Sequence, residues 1–129
     1  MKRLVIAVTM IAALVMASVA LAATLRGTYK TTITSTAAGG QLKGVWTIKF
    51  AKPSYTVSDN GTVVLRGKYS IKGHAITFRD KSGPAACPGA GKYKFKKTGT
   101  TLTFTVVSDP KAACLGRRTV LAGTFTKVS

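Results

Sequence analysis

The sequence predicts an all-β protein, a small eight-stranded antiparallel up-and-down barrel, and three observations lead there. Period-two alternation of apolar and polar residues runs through nearly the whole chain after its first segment, with no sustained helical period. Short turn signals separate the alternating runs. All ten aromatic residues fall on one face of that alternation.

The first segment stands apart. MKRLVIAVTMIAALVMASVALAA places Lys2 and Arg3 before an uncharged apolar stretch that ends in Ala20-Leu21-Ala22. A basic start, an apolar middle and a small-x-small end are the layout of a secretory signal peptide, so residues 1–22 are expected to be removed and residues 23–129 to form the domain. The alternative for this stretch is an uncleaved anchor of nearly spanning length. No cysteine follows the small residues, which argues against a lipoprotein. The expectation is a secreted or periplasmic protein of the cell envelope, monomeric and without a transmembrane span once processed.

Strands are expected at about Leu25–Ser35, Leu42–Ala51, Ser54–Ser58, Thr62–Ile71, His74–Arg79, Lys92–Lys97, Thr101–Val107 and Thr119–Val128. Lys52-Pro53, Asp59-Asn60-Gly61, Lys72-Gly73 and Thr98-Gly99 supply the tight turns. Tyr29, Trp46, Phe50, Tyr55, Tyr69, Phe78, Tyr93, Phe95, Phe104 and Phe125 share their phase with aliphatic residues such as Ile48, Leu65, Ile76 and Leu102. Lys30, Lys49, Arg66, Lys68, Lys94 and Lys96 take the other phase. A sheet with one apolar face and no helix to cover it buries that face, and loses its edges, by closing on itself. A two-sheet sandwich is the competing architecture, but it calls for longer connections.

The links alternate between two ends. Thr36–Gln41, Asp80–Gly91 and Ser108–Arg118 are the long ones and gather at one end, the mouth; the other end carries only tight turns. Cys87 and Cys114 lie in the two long loops flanking the sixth and seventh strands. An even cysteine count in an exported chain favours a disulfide, and neighbouring strands make this one reachable. The staple, aided by Pro84, Pro88 and Pro110, explains the interruption VSDPKAACLGRR.

Gly27-Thr28-Tyr29 opening the first strand, eight meandering strands and one open end resemble the calycin superfamily, the lipocalins and their small secreted bacterial relatives. The segment GKYKFKKTGTTLTFTVVSDPKAACLGRRTVLAGTF is similar to the carboxy-terminal half of the latter, with Asp109, Pro110, Cys114, Gly116 and Arg117 on an Asp-Pro-Cys-x-Gly-Arg loop. Lys111-Ala112-Ala113 is an insertion against that pattern, and Tyr29 stands where lipocalins carry tryptophan. The resemblance implies non-covalent binding of a small, often apolar molecule inside the barrel.

Ile33, Trp46, Val57, Phe78, Tyr93, Val106 and Leu121 are the candidate ligand-binding residues, with Leu42 and Val63 beside them. Thr31 and Tyr93 are candidate polar groups, and Arg117, at the end of the last long loop and following the inward phase of the eighth strand, a candidate partner for an acidic ligand group. A barrel simply filled by its aromatics is the competing expectation. Catalysis is not expected: His74 is the single histidine and sits in a tight turn, and Asp59, Asp80 and Asp109 read as turn and strand-end positions. No cofactor or metal is expected, since neither metal-ligand spacing nor a phosphate-cradling glycine loop is present.

Charge supplies the second functional class. The whole chain has 20 Lys and Arg against 3 acids, and without Lys2 and Arg3 the net charge is +15. Such a field attracts anionic envelope polymers or lipids. Inward aromatics argue against nucleic acid, whose single strands need exposed stacking platforms. An inhibitor of an exported enzyme is a third possibility that the resemblance allows.

Overall fold

The computed structural model describes residues 24–34 and 36–129; the signal segment expected at residues 1–22 lies outside the described residues. The chain forms a closed barrel of eight antiparallel strands in sequential order. They are β1 (Gly27–Ile33), β2 (Gly44–Ala51), β3 (Ser54–Asp59), β4 (Thr62–Lys72), β5 (Ala75–Ser82), β6 (Ala90–Thr98), β7 (Thr101–Ser108) and β8 (Thr124–Lys127). One helix, α1 (Leu115–Leu121), lies between β7 and β8. All ten aromatic side chains are buried, as their shared phase requires. Rings from all eight strands meet edge to face, with Phe78 touching Tyr55, Tyr93 and Phe104 at centroid distances of 5.2, 5.8 and 5.7 Å. Such contacts add to the burial of ring surface.

The two ends differ as the link lengths predict. Two-residue turns close the lower end, where Leu25 is buried and its carbonyl accepts a 2.8 Å bond from the Tyr69 hydroxyl. Long connections cover the upper end. There β5 and β6 are joined by residues 83–89, and β7 and β8 by residues 109–123.

One element departs from the expectation. The alternation predicts an eighth strand over Thr119–Val128, but Leu115–Leu121 is helical and the strand begins at Thr124. Arg117, Thr119 and Leu121 alternate as a strand would, and this conceals a second period: Arg117, Val120 and Leu121 sit at i, i+3 and i+4, one face of a helix. That face is the one turned into the barrel, since Val120 and Leu121 are buried.

β8 is consequently short. It pairs with β1 only at Tyr29↔Lys127 and Lys30↔Thr126, and with β7 only over Thr101–Thr103. Above those pairs the wall between β1 and β7 is completed by α1 rather than by strand. Val106, expected to face inward, is therefore 52% exposed: β7 has no β8 neighbour at that height. Val63 is exposed for another reason. The β3–β4 register shifts between Val57 and Ser58, so that Val64 takes the place against the core. A bulge reverses which residue faces in.

Candidate functional site

Two loops and a helix build the lid over the mouth. Cys114 immediately precedes α1 and is bonded to Cys87 in the β5–β6 loop, with Cα atoms 5.3 Å apart. The staple expected from the sequence is present, and it ties the start of the helix to the neighbouring β5–β6 loop.

Beneath the lid lies a charged network whose two acids, Asp80 and Asp109, read in the sequence as ordinary strand-end positions. Asp80 is two residues beyond Phe78 on β5 and shares its inward phase; Asp109 follows the end of β7. Arg117, on the inner face of α1, reaches both. Its Nε and Nη2 donate to the two carboxylate oxygens of Asp109 at 2.8 and 2.7 Å, and its Nη1 lies 3.5 Å from Asp80 Oδ1. Two tyrosines complete it: Tyr55 donates to Asp80 and Tyr93 to Asp109. The Cys87 backbone N–H donates to Asp80 Oδ2 at 3.0 Å, so the staple and the network share a residue. The Arg117 side chain is 7% exposed and each aspartate 1%.

Burial at this level is tolerated only because each charge finds partners. Burial alone would raise the Asp109 carboxyl, but the Arg117 and Tyr93 hydrogen bonds and the arginine charges hold it below its ordinary range. Burial would likewise lower Arg117, and the hydrogen bond and charge of Asp109 with the charge of Asp80 keep it raised. Tyr55 and Tyr93 are pushed up by burial and by the carboxylates they bond. The β-strand glycines make room. A methyl on Gly91 would stand 2.8 Å from Asp109 Oδ2 and 2.9 Å from Arg117 Cζ, and one on Gly67 would stand 2.6 Å from the Tyr55 hydroxyl.

Between this network and the aromatic layer is a cavity of about 90 Å³. Its walls are Leu42, Trp46, Ile48, Val57, Leu65 and Phe78; Ala85, Ala113, Gly116, Val120 and Leu121 roof it; Tyr55, Asp80 and Arg117 supply its polar edge. Trp46 is fixed there by a 2.8 Å bond from Nε1 to the Leu42 carbonyl. Of the residues singled out in the sequence, Leu42, Trp46, Val57, Phe78, Arg117 and Leu121 thus meet around one space. Ile33 does not line it and instead borders an outer groove between β1 and α1, with Thr32, Thr34, Arg118 and Thr119. Tyr93 is engaged with Asp109 beside the cavity, and Val106 lies on the exposed part of β7. Arg117 enters from the helix, and its guanidinium is gripped by two carboxylates rather than offered to an acidic ligand group.

The scarcity of acids was the available signal for Asp80 and Asp109. Only three exist in the chain; Asp80 ends its strand at the mouth in phase with Ile76 and Phe78, and Asp109 lies just past the seventh strand at the same end. Comparisons with the profiles of known families, with curated proteins and with solved structures gave no match.

Proposed function

We propose that the protein is an exported, non-catalytic binding protein of lipocalin-like design that holds a small apolar group in the cavity beneath α1. The observation that carries this reading is the partly open apolar space itself, walled by Trp46, Val57, Leu65 and Phe78 in an interior otherwise filled by buried rings. Its size limits the ligand. An apolar cavity of about 150 Å³ takes up benzene, so one of about 90 Å³ suits a ligand, or the end of one, with a handful of carbon atoms. The disulfide supports the exported location, because such bonds persist in oxidising compartments. Among the described residues no helix is long and apolar enough to cross a membrane. His74 packs beside Phe95 at the closed end, remote from the cavity, which supports a role without acid–base chemistry. Trp46 fluorescence on titration with small hydrocarbons and alcohols tests the reading: a saturable change supports it, and no response to any of them refutes it.

A second reading, binding of an anionic envelope polymer or lipid, has its own observation. Lys68 stands directly across from Arg79 on the outer face, with Arg66, Lys92, Lys94 and Lys96 on the same three strands. Opposed like charges destabilise a sheet, and Asp80 and Asp109, two of the three acids, are buried where they offset nothing outside. Retention on an anionic polymer that weakens steeply with salt supports this role; retention indifferent to salt refutes it.

A further inference from the structure

The cavity inverts the sign of the molecule that surrounds it. The chain carries 20 lysines and arginines, yet among the described residues only Arg117 lines the cavity, and the network around it contains two carboxylates. Asp109 claims the guanidinium through paired hydrogen bonds at 2.7 and 2.8 Å, while Asp80 receives a single approach at 3.5 Å. Arg118, the other nearby cation, reaches the Asp109 backbone carbonyl and borders the outer groove rather than the cavity. The aspartate that faces the cavity is thus the less compensated of the two.

From this we infer that the cavity takes a small amphiphilic amine, its alkyl body among Val57, Leu65 and Phe78 and its ammonium group on Asp80. The inference rests on the cavity reading above and specifies the ligand's chemistry. An ammonium donates hydrogen bonds, and the Asp80 carboxylate retains acceptor capacity beyond the Tyr55 hydroxyl and the Cys87 N–H. It also balances the second carboxylate, which a neutral ligand does not. A carboxylate or phosphate meets the opposite situation, because it would have to compete with Asp109 and Asp80 for the only cation. Charge-assisted hydrogen bonds to a buried carboxylate are strong enough to govern selectivity. Charge outside and charge inside then serve different purposes: the exterior repels free amines weakly through screening salt, and the buried network selects them at contact range.

The test uses the oxidised protein and three probes with one tail: n-butylamine, 1-butanol and butyrate, titrated against Trp46 fluorescence and methyl shifts of Val57 and Leu65. The expected order is amine tighter than alcohol by about tenfold or more, as one charge-assisted bond provides, with butyrate weakest. In Asp80→Asn the ratio of amine to alcohol affinity should collapse towards one, whatever the absolute affinities. Butanol binding as well as butylamine in the unaltered protein overturns the inference and leaves the cavity reading standing. Butyrate binding best also overturns it. If none of the three binds, both fall. The order of affinities in the unaltered protein decides the matter even if the variant fails to fold.

Discussion

Arg117 and Asp109 form a side-on pair in which Nε and Nη2 meet the two carboxylate oxygens at 2.8 and 2.7 Å, and this pair fastens α1 to the end of β7. A lysine cannot reproduce that fork. Arg117→Lys should therefore lower stability, and Arg117→Met should cost more, about 3–5 kcal/mol, by stranding buried carboxylates. The combination Arg117→Met with Asp109→Asn should cost less than the sum of the two single changes. Denaturant titration of the four proteins measures the coupling.

Acid should loosen the same pair. The Asp109 carboxyl is held below its ordinary range in the folded protein, so the unfolded chain binds the proton more readily. Its contribution is complete above the unfolded value, about pH 4, and is lost as pH falls through the folded value. Asp109→Asn should flatten the stability profile in that acidic window. The sign reverses for the raised hydroxyls of Tyr55, Tyr93 and Tyr69. Their contribution holds below about pH 10 and is lost as pH rises through the folded values. Ultraviolet absorbance should show these three phenols ionising late in the native protein and normally in denaturant.

Glycine positions offer a pair of opposite signs. Gly91→Ala pushes a methyl against Asp109 and Arg117 and should destabilise by about 1–3 kcal/mol, as overpacking does. Gly116→Ala, on α1 with nothing within 4 Å of the new methyl, should stabilise by about 0.5–1 kcal/mol through helix propensity. Thermal unfolding of both variants is the check.

Removing the staple should act locally. Cys114→Ser is expected to cost about 2–4 kcal/mol while the strand content by circular dichroism is unchanged. Hydrogen exchange should quicken in α1 and the β5–β6 loop and not at the Lys52-Pro53 or Thr98-Gly99 turns. Faster exchange concentrated at those turns would contradict the assignment of the stapled end.

The barrel was legible because one physical constraint repeats on every strand: each aromatic must face inward, and a period of two says which residues comply. What escaped were the places where a local device alters that period. The bulge at Val57/Ser58 exchanges Val63 for Val64, and nothing in the side chains announces it. Val120 and Leu121 carry the helical period over a helix of only seven residues, too few to outweigh the alternation of Arg117, Thr119 and Leu121. The cavity walls followed from strand phase, whereas the Asp80–Arg117–Asp109 network required the helix to be placed first.

The shortness of β8 bears on the order in which the molecule is assembled. Synthesis delivers β1 first and Thr124–Lys127 last of the eight strands, and until Phe125 reaches its fully buried seat both β1 and β7 display unpaired edges. Seven strands can zip up from neighbour to neighbour, but the ring has no seam until that segment emerges. Any assembly that lacks this segment is an open, cationic strip, and mutual repulsion among its lysines opposes edge-to-edge association. The charge that decorates the finished exterior guards the unfinished one.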